Sequence, residues 1–250
     1  MPGSFYFVKI ANGFGFIDFC RKEQAKCQCI VCRQEGGMRQ EIDINTWERK
    51  EHFEYYSKIS TPHYCVAFNV DITNLLQFTQ EHRISFYYSL IFLCTQSLNQ
   101  IDEFLLEIRD NRVFGIDRRV PCFTDLKKGA AGFHMVCLPC EGDIIEFAKK
   151  AREESINNPL PIDALDGLGE PQIIYSCIPW ADITMCSNER DYNDPMLKDD
   201  TVPILVWGKY TEHSGRYRIN MTLDVNHRLI DGYFVGLFVQ NLEAMIAALK

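Results

Sequence analysis

Residues 224–250 read DVNHRLIDGYFVGLFVQNLEAMIAALK, with His227, Asp231 and Gly232 set between two apolar runs. RYRINMTLDVNHRL, 216–229, reads as a strand ending at the histidine, and DGYFVGLFVQNLEAMIAALK reads as a helix opened at Asp231 and Gly232. An imidazole at such a junction has two physical meanings. It is a satisfied structural residue, or it is a general base, since imidazole titrates near neutrality. Asp231 likewise either caps the helix or forms a buried ion pair that sets the backbone around His227.

Working outward, TVPILVWGKYTE, 201–212, suits a strand neighbouring 216–229 in one sheet. IIYSCIPW, 173–180, is a further strand, and the polar NERDYNDPMLKDD between them reads as a surface loop. HYCVAFNVDIT, 63–73, alternates as a strand. TNLLQFTQEH and SFYYSLIFLCTQSLNQI are helices, the second apolar nearly all round and therefore buried. RVFGIDRRVPCFTDL, 112–126, and GAAGFHMVCLPC, 129–140, are strand-like. DIIEFAKKAREESINN, 143–158, is amphipathic, with Ile144, Ile145, Phe147, Ala148 and Ala151 on one side. TWERKEHFEYYSKI, 46–59, is an aromatic-weighted helix with Thr46 as its candidate N-cap. The pattern from Met38 onward is that of one α+β domain.

The totals narrow the function. The chain has 250 residues, 46% hydrophobic, with a net charge of -8. No cluster of Lys and Arg offers a phosphate backbone a surface, so nucleic acid is not an expected partner. No window approaches the roughly 18 to 20 apolar residues of a membrane span, and a cytoplasmic protein is expected. The eleven cysteines are odd in number and scattered through apolar contexts, which reads as reduced thiols acting as small hydrophobes. Cys20, Cys27, Cys29 and Cys32 crowd together and Cys29 and Cys32 have CxxC spacing, but the other spacings are irregular and no second CxxC lies close by, so no metal is expected.

Residues 1–37 differ in composition from the rest. Gln34-Glu35 can be encoded as CAGGAG, a ribosome-binding sequence set two glycine codons before Met38. The expectation is an extension at 1–37 that represents upstream read-through, and a catalytic domain at 38–250.

NHRLIDGYFVGLFVQNLE resembles the active-site segment of type A chloramphenicol acetyltransferases, which runs His-His-Ala-Val-Cys-Asp-Gly-Phe-His-Val into a helix. Three more blocks match in order: DINTWERKEHFEYY the family's Trp-x-Arg-Arg-Glu-His-Phe opening, YSCIPW its Ser-x-x-Pro-Trp, and PILVWGKY its Pro-Ile-x-x-x-x-Lys-Tyr. The resemblance covers 41–250. It implies the two-layer α+β sandwich of coenzyme A-dependent acyltransferases, a mixed sheet with helices packed on one side. It implies O-acetylation by acetyl-CoA of a small hydroxyl acceptor, chloramphenicol or another alcohol, without an acyl-enzyme. By the same resemblance His227 is the base, Asp231 and Arg49 an ion pair holding its loop, and Ser176 the donor to the oxyanion of the tetrahedral intermediate. Trp180, Lys209 and Tyr210 match the coenzyme channel, and Tyr56, Tyr64 and Phe133 the acceptor pocket. Such enzymes are homotrimers with active sites between subunits.

The pattern has departures. Asn226 replaces the first histidine of the family pair, Arg228 replaces a small residue, and Val206 stands where a threonine holds a water near the transition state. ADITMCSNERDYNDPML, 181–197, replaces the family's Phe-x-Ser-Phe-x-Leu-Asn region. NHRLIDG is also similar to the Asp-His-Arg-x-x-Asp-Gly signature of dihydrolipoamide acyltransferases, and a catalytically inactive binding relative is the reading from another class; the retained His227, Asp231, Arg49 and Ser176 speak against it.

Overall fold

The computed structural model describes residues 31–33, 38–126, 129–161 and 171–250. Cys20, Cys27 and Cys29, and with them most of the expected read-through segment, lie outside the described residues. In chain order the elements are β1 (Val31–Arg33), β2 (Met38–Glu41), α1 (Lys50–Tyr56), β3 (His63–Asp71), α2 (Thr73–His82), α3 (Phe86–Leu98), β4 (Leu106–Arg109), β5 (Arg112–Ile116), β6 (Val120–Asp125), β7 (His134–Cys137), α4 (Ile144–Asn157), β8 (Gln172–Cys177), β9 (Ile204–Trp207), β10 (Thr211–His213), β11 (Arg216–Asn226) and α5 (Gly232–Ala247).

The larger sheet runs β10-β11-β9-β8-β6-β7, with β3 antiparallel along the other edge of β11. β6, β8 and β9 are parallel to one another, and β11, β3 and β7 are antiparallel to their neighbours, so the sheet is mixed. The smaller sheet, β1-β2-β5-β4, is antiparallel throughout.

The alternation along β11 decides what each face carries. Ile219, Met221, Leu223 and Val225 join the core with Leu90, Leu98 and Phe147 of α3 and α4 and Phe238 and Leu242 of α5. Asn220, Thr222, Asp224 and Asn226 point the other way; Asp224 and Asn226 bond the segment expected to be a surface loop, and Thr222 bonds Cys186 just before it. Cys186 N–H donates to Thr222 Oγ1 at 3.2 Å, Arg190 pairs with Asp224 at 2.8 Å, and Asn226 Nδ2 donates to the Lys198 and Asp200 carbonyls at 3.0 and 2.9 Å. That segment is a surface loop as expected, exposed at Glu189 and 191–196, and is tied through Asn188, Arg190 and 198–200 to the polar face of the sheet.

Three local expectations need correction. Thr46 does not cap α1: its hydroxyl bonds the Asp43 carbonyl, and the helix starts at Lys50 with Arg49 at the cap position and no side-chain cap. The reason is that Arg49 is committed to a tertiary ion pair. The run 112–126 is not one strand but two, β5 and β6, which belong to different sheets. And the described cysteines are not all reduced. Cys122 and Cys137 fall opposite each other in the β6–β7 register with Cα atoms 4.2 Å apart and are joined in a disulfide. Register, which sequence spacing does not reveal, sets them together. α4 follows its signature closely: Asp143 and Glu146 form a reciprocal capping box.

Candidate active site

β11 delivers His227 to its place. At Asn226, paired with His63 of β3, the ladder ends and the chain turns away, and His227 N–H donates to the Pro62 carbonyl at 2.7 Å. Its ring lies between two tyrosines, with centroids 3.8 Å from Tyr56 and 4.3 Å from Tyr64. Burial pulls the His227 pKa below the ordinary 6.5, helped by the neighbouring His52 and opposed by Asp231. The imidazole is thus neutral at pH 7 and can accept a proton. Activity that uses this imidazole as a base is expected to have an acid limb whose midpoint lies below pH 6.5, falling about tenfold per unit beyond it. An acid limb centred at pH 7 or above in a pH–rate profile would contradict this assignment.

Arg49 and Asp231, 182 residues apart in sequence, meet behind the histidine turn with Nη1 to Oδ2 at 3.1 Å. Arg49 also donates to the Leu229 carbonyl at 3.0 Å and lies over the Phe234 ring. Burial by itself raises the Asp231 pKa, but hydrogen bonds from Arg49 and the Tyr233 N–H outweigh it and hold the carboxyl below its usual range. The two alternatives for Asp231 are therefore both realised: it caps α5 through the Tyr233 N–H at 2.9 Å and pairs with Arg49 through its other oxygen. Arg49 stands at the N-cap of α1 and Asp231 at that of α5, so the ion pair joins the first helix to the last.

Two residues around His227 were not identified from sequence. His52, one turn after Arg49, donates from Nε2 to the His227 carbonyl at 2.6 Å, satisfying an oxygen that the end of the ladder leaves without a strand partner. Its only signal was the i, i+3 spacing from Arg49 on one helix face. Ser57, at the end of α1, accepts from Arg228 Nε at 2.9 Å. Arg228 itself is fully buried and points away from the histidine. Its guanidinium reaches Asp199 at 2.6 Å, the Lys198 carbonyl at 3.1 Å, Asn111 Oδ1 and the face of Phe53. Asn111 is available because it and Asp110 both adopt positive φ in the two-residue β4–β5 turn.

The remaining candidates gather elsewhere. Ser176, Phe133, Trp180, Lys209 and Tyr210 line a cleft of about 670 Å³ at the carboxyl ends of β6, β8 and β9. Gly208 lets its two sides approach. A Cβ there would stand 2.7 Å from the Ala181 carbonyl oxygen, and its absence permits the Lys209 N–H to donate to that oxygen at 2.7 Å. Trp180, 76% exposed, presents an aromatic face at the rim. Lys209 has no carboxylate partner among the described residues. An aromatic surface, an unneutralised ammonium and a deep apolar wall fit an adenine, a phosphate and a pantetheine arm.

The two groups do not meet within one chain. Ser176 is opposite Val206, which is opposite Thr222, and His227 lies five residues further along β11. At about 3.4 Å per residue and 4.8 Å per strand, this puts His227 and Ser176 about 20 Å apart. Tyr56 and Tyr64 go with the histidine, whereas Phe133 goes with the serine.

Known proteins share both the sequence pattern and the fold. The family model described as Chloramphenicol acetyltransferase matches residues 38–243. Among curated relatives, Chloramphenicol acetyltransferase 3 of Escherichia coli is 25% identical over 209 residues, covering 82% of this chain and 95% of that protein. Chloramphenicol acetyltransferase 2 of Haemophilus influenzae is 28% identical over 210 residues, with the same coverage of 82% and 95%. A solved chloramphenicol acetyltransferase superposes with a TM-score of 0.75 at 22% identity, over 84% of this chain and all of that one. A probable dihydrolipoamide acetyltransferase of Listeria monocytogenes shares the fold at a TM-score of 0.57 and 14% identity, covering 84% of this chain and 95% of that one.

Proposed function

We infer the acceptor and the placing of the site from one premise: the chain belongs to the chloramphenicol acetyltransferase family. It is an acetyl-CoA-dependent O-acetyltransferase, and the dihydrolipoamide and inactive-binder alternatives are not favoured. The acceptor is chloramphenicol. The observation that carries the mechanism is a neutral histidine held between two tyrosines on a turn pinned by an ion pair.

His227 removes the proton of the acceptor hydroxyl, whose oxygen attacks the thioester carbonyl directly. The Ser176 hydroxyl donates to the oxyanion, and the imidazolium returns its proton to the departing thiolate. Arg49 and Asp231 act through the backbone of the turn and touch neither substrate. Trp180, Lys209 and Tyr210 hold the coenzyme, while Tyr56, Tyr64 and Phe133 wall the acceptor. Because one preorganised donor contributes about 2.7 to 4 kcal/mol, Ser176→Ala is expected to lower kcat by about 10² to 10³. Steady-state kinetics at saturating substrates reads this, and a loss under tenfold would remove Ser176 from the oxyanion role.

The separation of about 20 Å between His227 and Ser176 supports a site shared by two chains, since base and oxyanion donor must flank one carbonyl. We assign a homotrimer, a cytoplasmic location and a role in antibiotic resistance on the same grounds as the acceptor. A domain at 38–250 preceded by an untranslated 1–37 stays our proposal, and intact mass of natively expressed protein starting at Met1 would sink it.

A second acceptor is favoured by one observation. Val206, 2% exposed, replaces the family's threonine in a cross-strand row with Ser176, so another small alcohol is the second reading. Purified protein with acetyl-CoA, chloramphenicol and a thiol reagent decides between them. Thiol release with chloramphenicol supports the first; release only with other small alcohols supports the second. Resistance of a sensitive bacterial host carrying the reading frame tests the biological role.

A further inference from the structure

Resting on the coenzyme assignment above, we propose that Arg152 is a phosphate contact of coenzyme A, which lies across two confluent cavities rather than one. The cleft of about 670 Å³ that holds Ser176 and Lys209 shares Ser85, Tyr88, Asp125 and Leu126 with a neighbouring cavity of about 550 Å³. Arg152 of α4 lines the second cavity.

The wall between the two is a built polar junction. Asp125, at the end of β6, accepts from Tyr88 Oη at 2.5 Å, from Ser155 Oγ at 2.6 Å and from the Leu126 N–H at 2.7 Å. Since Ser155 gives its proton to Asp125, it accepts from His134 Nε2–H at 3.1 Å. Ser155 lies three residues beyond Arg152 on the same helix face, so these bonds fasten that face of α4 to β6 and hold Arg152 over the cavity. The nearby carboxylate is occupied by three donors. Arg152, exposed, has no hydrogen bond or ion pair with any described residue, yet it is close enough to act electrostatically on the Tyr88 hydroxyl.

The junction therefore presents a guanidinium with no acidic partner among the described residues on the β7 side of Ser176, as Lys209 presents an ammonium on the β9 side. Coenzyme A carries a ribose 3′-phosphate and a diphosphate, more anionic charge than one lysine neutralises. A guanidinium fork is matched to phosphate oxygens, and it serves here without first leaving another anion.

Titration calorimetry of the full chain with coenzyme A, 3′-dephospho-coenzyme A and pantetheine tests this. Arg152→Gln is expected to weaken coenzyme A binding about tenfold, and Arg152→Glu by more, with a penalty that shrinks as salt is raised. If the contact is the 3′-phosphate, the Arg152→Gln penalty vanishes with 3′-dephospho-coenzyme A. If it is the diphosphate, the penalty persists there and vanishes with pantetheine. Equal coenzyme A affinity in wild type and Arg152→Gln overturns the proposal, as does a penalty that persists with pantetheine. Wild-type binding of coenzyme A without acetylation of chloramphenicol would overturn the acceptor assignment and leave this one standing, whereas a wild type that does not bind coenzyme A would overturn both.

Discussion

Replacing His227 with alanine is expected to lower kcat by a factor on the order of 10² to 10⁴, the range of a positioned general base. Its backbone N–H and carbonyl, bonded to Pro62 and His52, are kept in the variant, so thermal unfolding is expected to change little. A variant that released thiol at the original rate would show that another group is the base. The same variant tests the shared site. His227→Ala and Ser176→Ala are each expected to be nearly inactive, but a mixture unfolded and refolded together is expected to recover activity. Some sites in mixed oligomers then combine the histidine of a Ser176→Ala chain with the serine of a His227→Ala chain. Recovery is impossible if one chain supplies both groups, so no gain on mixing would end the case for a site between chains. The separation of about 20 Å makes recovery the expected result.

Arg228→Met is expected to destabilise the fold by about 3 to 5 kcal/mol, the cost of removing one member of a buried charged network. The side chain is fully buried, and its loss removes the ion pair of Asp199 and one hydrogen-bond partner each from Asn111, Ser57 and the Lys198 carbonyl together. For a domain of this size that corresponds to a fall in Tm of roughly 10 °C. Differential scanning calorimetry reads it directly, and a Tm within about 2 °C of wild type would show that the guanidinium is dispensable. The expectation from sequence was that Asn226 and Arg228 record drift beside the base. Instead Asn226 brackets the 198–200 turn through both carbonyls while its Oδ1 accepts from the Arg228 N–H at 3.0 Å. The two departures act as one brace, tying the histidine turn to α1, to the β4–β5 turn and to the segment before β9.

Legibility in the sequence followed the range of the interaction. The strand and helix around His227, the amphipathic α4 and the buried α3 were readable because period is a local property. The division of 112–126 between two sheets was not, because both halves have strand character and only pairing partners separate them. Thr46 failed as a cap because Arg49 is held by Asp231, a contact 182 residues away that local propensity does not contain. The Cys122–Cys137 bond and the Arg228 network depend on register and on the meeting of distant turns.

By itself, the sequence determined the α+β character, the order of the elements and, through four ordered blocks, the family and the acetyl-transfer chemistry, since each of these is written in residue types at fixed spacing. Only the tertiary structure decided that Asp231 both caps and pairs, that the polar loop is tied to the polar face of the sheet, and that His227 and Ser176 of one chain stand far apart. Those outcomes are distances between side chains far apart in the chain, and a sequence specifies them only through the packing of all the others.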